Sequence, residues 1–368
     1  MRAISAAMIV AVMFFWGTVF FSPFFGRPGE AYTFSNLYES VAEQKRDDND
    51  TRMIYTSLES KPTIASTLSW WHEAWTPDFN YWRPLTMQAF WLEKQAFGEE
   101  HPLTWMRVTL ALHFFATALF ALLVLRIAKR WDVVALSVLL FTAPRPVFLP
   151  LKLYETPAVD VIYHWKDQPD LFVNILVVGA MLAALDRRWI ISLICSALAV
   201  CFKESGWLSF PMVATAVAFN GGWRQIPKWV YGAIVAIAIV LLTFRWSAGR
   251  DVFFGRSNVH NAHPIWRYWN IAMEGLFTGA VWKLGQATLA AGLLVLAIIR
   301  SRPVVAAVAF ALLVPLSVAI FALQMNATYD AAGAAFFVYE SFDVLLLLIW
   351  GGLDILGVSK PIATAPRA

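Results

Sequence analysis

A short acidic run near the start of the chain is suited to acid–base chemistry. Asp47, Asp48 and Asp50 lie within KRDDNDTRMIY, residues 45–55, where basic residues flank them on both sides. A solvated turn is the most common structure for such a mixture of charges. The apolar residues 53–55 that follow predict instead that the run ends in a packed element. A carboxylate held at that junction could act as a general base.

A lysine and a glutamate interrupt an apolar region in the middle of the chain. Lys203 and Glu204 lie in CFKESGW, between two apolar runs that are each shorter than a normal membrane span. Adjacent residues on a helix point about 100° apart, so the two side chains are not expected to pair with each other. We expect each to face a different partner in a polar cavity, lined by the backbone of a broken helix. The alternative is a snorkelling lysine beside a glutamate that starts a helix.

The sequence WKDQPDL, residues 165–171, leads into another apolar run. Pro169 is suited to the first turn of a helix, and Asp167 or Asp170 is suited to its positive N-terminal end. Helix capping alone would explain these residues, and a role for Asp170 at a functional site is the alternative.

The composition of the chain predicts that these groups are positioned by membrane helices. The chain has 368 residues, of which 59% are hydrophobic and 15% are charged. In soluble domains about 45–50% of the residues are apolar and about 25% are charged, so a polytopic membrane protein is predicted. Nucleic-acid binding is not indicated, because the basic residues lie in short clusters between apolar runs. The two cysteines, Cys195 and Cys201, share one apolar segment and are interpreted as packing residues.

Apolar runs of about 20 residues can cross the hydrocarbon core of a bilayer, and about ten occur here. The predicted fold is an all-α polytopic membrane protein in which residues 1–368 form a single transmembrane domain. The predicted spans are residues 4–21, 105–127, 133–151, 171–185, 189–202, 208–219, 229–244, 280–299, 304–323 and 335–356. The first span is expected to be retained, because no small-residue cleavage site follows it before Pro23.

The distribution of basic residues orients these spans. By the positive-inside rule, the even-numbered spans end in the cytoplasm and the N-terminus begins there. Both termini are therefore predicted to be cytoplasmic in a multi-pass protein of the plasma (inner) membrane, and residues 22–104 form a large extracytoplasmic loop. The basic residues concerned are Arg2, Arg126, Lys129, Arg130, Arg187, Arg188, Arg224, Lys228, Arg300, Arg302, Lys360 and Arg367.

This loop contains a polar motif, Arg83-Pro84-Leu85-Thr86, inside the aromatic sequence FNYWRPLTMQAFWLEKQAFG, residues 79–98. Tryptophan and tyrosine favour the membrane interface, which explains the aromatic residues but not the motif. A second interpretation of the tryptophan-rich loop is a contact surface for a membrane-protein partner, since exposed aromatics and arginine are typical of interfaces.

The order of these features resembles the C-type (GT-C fold) glycosyltransferase superfamily. The resemblance is closest to bacterial relatives of the tetratricopeptide-associated O-mannosyltransferase-like proteins and covers roughly residues 49–219. After the acidic motif come YWRPLTMQAFWLEKQAFG, a P-x-x-W that enters a span containing LALH, then FTAPRPVF, a W-x-x-x-x-DL and the KE between short spans. The tetratricopeptide repeats of the animal members are absent from this sequence.

The resemblance implies transfer of a sugar from a polyprenyl-phosphate donor to an acceptor on the extracytoplasmic face. Asn49 and Asp50 align with the family's acidic pair. The resemblance implies that Asp50 is the base that deprotonates the acceptor hydroxyl. The first of the two positions is an asparagine where the family typically has an acid. Asp47 and Asp48 lie two residues out of register.

The resemblance also assigns the binding groups. Arg83 would lie near the mouth of the site, with Trp82 among the aromatics able to stack on a sugar or an isoprene, and Lys203 would contact the donor phosphate. Asp170 and Glu204 would orient their neighbours, and Tyr339 would belong to the final span. The family usually has a basic residue just before that tyrosine, whereas this chain has Phe336-Phe337-Val338.

Two other classes of function stay open at this stage. A non-catalytic membrane subunit or scaffold that retains the fold would explain the degenerate acidic pair and the missing cation before Tyr339. A transporter would explain a broken helix with buried charge, although no internal repeat is visible. Polyprenyl-phosphate and membrane lipids are the expected partners. A divalent metal ion at the acidic motif is an alternative cofactor without a dedicated site in the sequence.

Overall fold

A computed structural model describes residues 49–75, 81–98, 102–129, 168–221 and 225–249, together with residues 131, 134, 135 and 138. This part of the protein is helical and contains no β-strand. Its α-helices are α1 Asn49–Glu59, α2 Pro84–Phe97, α3 Pro102–Ala128, α4 Gln168–Leu185, α5 Trp189–Phe202, α6 Ser209–Gly221 and α7 Lys228–Ser247. Two 3-10 helices, Ser66–Trp71 and Glu204–Leu208, lie in the connections.

Three of these helices are long and apolar enough to cross a membrane: α3 over Arg107–Arg126, α4 over Gln168–Leu185 and α7 over Lys228–Ser247. α5 is apolar but has only 14 residues. The prediction of an all-helical protein with membrane-spanning helices is therefore supported by the described part of the chain.

The count of about ten spans stays a prediction. The spans predicted at residues 4–21, 280–299, 304–323 and 335–356 lie outside the described residues, as does nearly all of the span predicted at 133–151.

α4 lies between its neighbours and contacts α3, α5 and α6. Small residues let the helices approach closely: a Cβ added at Gly179 would lie 4.0 Å from Cys195 Sγ on α5. α7 differs, because Trp229, Val235 and Ile239 are exposed in the described part of the chain. An apolar surface of this kind is suited to contact with lipid.

α3 and α4 run in the same direction. Near their N-terminal ends, the Gln168 side-chain amide donates to the Trp105 carbonyl oxygen (3.2 Å). At their C-terminal ends, Arg126 Nη2 lies 2.8 Å from Asp186 Oδ1 in an exposed ion pair. Two even-numbered spans are expected to run in the same direction, so this arrangement agrees with the predicted alternation.

A separate apolar core forms in the loop that precedes α3. α1 presents Ile54, Tyr55 and Leu58 on one face, and they pack against residues of α2 and α3. The remaining buried members of this cluster are Trp70, Met87, Phe90, Trp91, Trp105 and Leu110. The prediction that the acidic run leads into a packed element is thus confirmed.

Tryptophan N–H groups hold the connections of this core. Trp91 Nε1 donates to the Lys61 carbonyl oxygen (2.7 Å), and Trp105 Nε1 donates to the Gly98 carbonyl oxygen (3.0 Å). Gly98 ends α2 with φ 71°, a left-handed conformation that favours glycine. Trp91 and Trp105 therefore pack inside the loop core.

Phe90→Ala is expected to lower the free energy of unfolding by about 3–5 kcal/mol, because the side chain is fully buried in this core. Leu92→Ala is the matched control on the same helix, since Leu92 is 54% exposed. Thermal unfolding of the purified protein in detergent measures both variants. Equal losses for the two would contradict the described core.

Candidate functional site

The helical path of the chain is interrupted at Lys203. α5 ends at Phe202, Lys203 has an extended backbone (φ −158°, ψ 154°), and the 3-10 helix Glu204–Leu208 leads into α6. The Lys203 N–H donates to the Ala199 carbonyl oxygen (3.2 Å), and the Lys203 carbonyl accepts from the Gly206 N–H (2.9 Å). The prediction of a broken helix between two short apolar runs is confirmed.

Lys203 pairs with an aspartate on the neighbouring helix. Its Nζ forms an ion pair and hydrogen bond with Asp170 Oδ1. Asp170 lies in the first turn of α4, directly after Pro169. Both side chains are buried, and the pair offsets part of the cost of taking each charge out of water.

Glu204 pairs with an arginine from the loop that precedes α3. Arg83 Nε donates to Glu204 Oε2 (2.9 Å), and Arg83 Nη2 lies 2.7 Å from the same oxygen. Burial alone would raise the pKa of Glu204, but the positive charges of Arg83 and Arg245 and the hydrogen bond from Arg83 lower it below its usual value. Lys203 and Glu204 thus face different partners, as predicted.

Two aromatic rings hold the Arg83 guanidinium. Its central carbon lies 4.6 Å from the centre of the Trp75 ring and 4.4 Å from that of Tyr81. Such cation–π contacts are strongest where water is excluded, and Arg83 is only 4% exposed. Trp75 and Tyr81, near the RPLT motif, therefore stabilise the Arg83 guanidinium.

A third cation, Arg245, belongs to the same site. It lies in the last turn of α7, is buried, and interacts electrostatically with Glu204 and Arg83. Arg245 was not predicted as a site residue from the sequence. The available signal was a single arginine at the predicted outer end of an apolar span, where burial demands a nearby carboxylate. We use the name charged cluster for Arg83, Asp170, Lys203, Glu204 and Arg245.

Further hydrogen bonds connect residues of the segment before α3 to the ends of the helices. The Thr86 hydroxyl in the first turn of α2 donates to the carbonyl oxygen of Phe202, the last residue of α5 (2.5 Å). His72 Nδ1 lies 2.7 Å from the hydroxyl of Ser247, where α7 ends. The polar motif therefore holds α2 at the helix break.

Trp82 is buried next to Arg83, and its indole N–H donates to the Trp71 carbonyl oxygen (3.0 Å). The Trp71 ring in turn lies against Phe244 of α7, with 5.6 Å between ring centres. Trp82 thus packs the loop against the end of α7.

A second buried polar group lies at the far end of α2. Gln168 Nε2, at the start of α4, is 3.1 Å from Glu93 Oε2, 3.0 Å from Thr109 Oγ1 and 3.2 Å from the Trp105 carbonyl oxygen. Burial raises the pKa of Glu93 to about 7, and the hydrogen bond from Gln168 lowers it only in part. Neither Glu93 nor Gln168 was singled out from the sequence.

The structure brings together four of the predicted site residues: Arg83, Asp170, Lys203 and Glu204 belong to the charged cluster. Asn49 and Asp50 are the first two residues of α1. Tyr339 lies outside the described residues.

No group of three His, Cys, Asp or Glu side chains that could hold a metal ion occurs among the residues that the structure describes.

Comparisons of this chain with models of known protein families, with curated proteins and with solved structures found no match.

Glu204→Leu is expected to lower the free energy of unfolding by about 3–5 kcal/mol, because it leaves buried cations without their carboxylate. Arg83→Met should cost less, since Arg245 still offsets the charge of Glu204. Thermal unfolding of both single variants and the double variant gives the coupling energy between the two residues.

The control for this experiment is Glu73→Gln, which breaks the exposed Lys61–Glu73 pair (2.9 Å) and should cost at most about 1 kcal/mol. Strictly additive losses for Arg83 and Glu204 would refute the buried pair.

Gly206→Ala is expected to destabilise the helix break, because a Cβ at this position would overlap the backbone of Ala199 and Val200. Gly232→Ala on α7 is the control, since nothing lies within 4 Å of the added carbon. Unfolding temperatures of the two variants compare them directly. A Gly206→Ala protein as stable as the control would show that α5 and the 3-10 helix are not in close contact.

Proposed function

We propose that the protein is a membrane glycosyltransferase that moves a sugar from a polyprenyl-phosphate donor to an acceptor on the extracytoplasmic face of the plasma membrane. The observation that carries the proposal is the attachment of the first-loop motif to the helix break. Through the Arg83–Glu204 pair and the Thr86–Phe202 hydrogen bond, α2 is fixed at the end of α5. Because α1 packs on α2 and α3, the segment that begins with Asn49 and Asp50 is anchored to the same assembly.

The charge of the cluster supports an anionic substrate. Among the described residues it contains three cations, Arg83, Lys203 and Arg245, and two carboxylates, Asp170 and Glu204. A donor phosphodiester carries a single negative charge, and cations near the scissile bond stabilise the charge that builds up on the leaving phosphate. Lys203 suits this role as a compact charge at the membrane boundary.

The proposed reaction is a single displacement. The acceptor hydroxyl transfers its proton to the Asp50 carboxylate while its oxygen attacks the anomeric carbon. The bond between that carbon and the phosphate oxygen breaks, its electron pair stays on the departing polyprenyl phosphate, and the anomeric configuration inverts. A lipid-linked donor fits this face of the membrane, because nucleotide sugars are cytoplasmic.

A specific observation favours a second candidate, a non-catalytic membrane subunit that retains this fold. Lys203 and Arg83 are both buried and paired with carboxylates inside the protein. Such pairs can serve stability and specificity of folding alone. The asparagine at position 49, where the resembling family has an acid, is consistent with this candidate.

Asp50→Asn is expected to reduce sugar transfer by about 10²–10⁴-fold, the typical contribution of a general base. The assay uses the purified protein in liposomes, with radiolabelled polyprenyl-phosphate sugars as donors and an extract of the native membranes as the source of acceptors. Asp47→Asn, which removes an acid out of register, should retain activity.

Asp50→Asn with the activity of the unmodified protein would remove this residue from the mechanism. No transfer by the unmodified protein, together with a stoichiometric protein partner and no polyprenyl phosphate in native mass spectra, would favour the subunit.

A further inference from the structure

We propose that Glu93 is a proton-binding site: at mildly acidic pH it holds a proton and forms a two-way acid–amide pair with Gln168, which joins α2 to the N-terminal ends of α3 and α4. The inference does not depend on the proposed function, since it concerns residues outside the charged cluster.

The hydrogen bonding of Gln168 points to this pair. Its Nε2 has two hydrogens but lies within hydrogen-bond distance of three acceptors, one of them Glu93 Oε2. Its Oε1 is fully buried and accepts no hydrogen bond from any described residue. A buried acceptor without a donor is costly. A protonated Glu93 supplies an O–H donor next to that amide, so acid and amide can each donate to the other.

Burial of Glu93 favours the same protonation state. The residue is 8% exposed, and an ionised carboxylate in such a place needs a cation or several donors. Within the described part of the chain, its side-chain hydrogen bond comes from a neutral amide. Burial raises the pKa of Glu93 to about 7, so the neutral acid predominates at mildly acidic pH.

The charged groups on the elements packed around α2 include three that pair with residues other than Glu93. Asp170 of α4 pairs with Lys203, and Lys61 beside the 3-10 helix pairs with Glu73. At the other end of α2, Arg83 pairs with Glu204. Of the other titratable residues on these elements whose side chains the structure describes, Arg52 and Glu59 of α1 and Arg107 and Arg126 of α3 are exposed, Lys94 of α2 itself is half-buried, and His113 of α3 is buried.

The pair makes attachment of α2 dependent on pH. In the folded protein Glu93 keeps its proton up to about pH 7, whereas in the unfolded chain it loses it near the ordinary value of 4.5. The folded state therefore binds more protons between these values, so this group's contribution to stability falls as pH rises through the interval and is constant above it. Above about pH 7 the ionised Glu93 can no longer donate to Gln168.

Glu93→Gln tests the proposal, because glutamine permanently mimics the protonated acid: it donates through its amide nitrogen and accepts through its oxygen. The unfolding temperature of the full-length protein is measured in detergent from about pH 5 to about pH 8 for the unmodified protein, Glu93→Gln and the control Glu59→Gln, which alters an exposed glutamate of α1.

The unmodified protein and Glu59→Gln should lose several degrees relative to Glu93→Gln across this range. Glu93→Gln should be at least as stable as the unmodified protein at about pH 8. Parallel curves for all three proteins, or a Glu93→Gln protein less stable than the unmodified one at about pH 8, would overturn the proposal.

Infrared difference spectra of the unmodified protein give a second readout. The carbonyl band of a protonated carboxyl should disappear as pH rises through about 7 and should be missing from Glu93→Gln at every pH. A band that does not change between about pH 5 and about pH 8, or one of equal intensity in Glu93→Gln, would refute the assignment.

Discussion

The arrangement of the described helices depends on one constraint, the cost of burying charge where a helix is interrupted. Lys203 and Glu204 lie at the break between α5 and the 3-10 helix, among apolar elements. An isolated charge in such a place costs many kcal/mol, so each needs a counter-charge at a fixed position. Asp170 at the start of α4 and Arg83 at the start of α2 meet that need. The two pairs therefore determine how α2 and α4 lie relative to the break.

The same constraint explains why the loop before α3 is both polar and aromatic. Arg83 is held between the Trp75 and Tyr81 rings. The rings exclude water and stabilise the guanidinium through their faces while its edge binds Glu204. Farther along, apolar packing of α1 on α2 connects the acidic motif to this anchor. The Arg83–Glu204 ion pair thus fixes α2 at the helix break, and apolar packing fixes α1 on α2.

The protein buries carboxyl groups in two different ways at the two ends of α2. Glu204 is buried beside two arginines, so its charged form is favoured and its pKa falls. Glu93 is buried beside an amide, so its neutral form is favoured and its pKa rises to about 7. The two pKa values differ because the neighbouring groups differ; the exposed fraction is 8% for both residues. The N-terminal end of α2 is therefore attached through an ion pair, and its C-terminal half through the hydrogen bonds of a protonated carboxyl group.

Sequence patterns determined those features that depend on neighbours along the chain. The apolar runs predicted α3, α4 and α7, Pro169 predicted the first turn of α4, and two short runs around Lys203-Glu204 predicted the broken helix. The length of an apolar run and the start of a helix depend on residues that are neighbours in the sequence, so these features could be predicted.

Only the tertiary structure decided which residues meet. Arg83 and Glu204 are 121 residues apart and Gln168 and Glu93 are 75 apart, and no spacing rule connects them. Arg245 and Glu93 were not predicted for the same reason: the role of a buried ionisable group depends on the groups folded around it, and those come from distant parts of the chain.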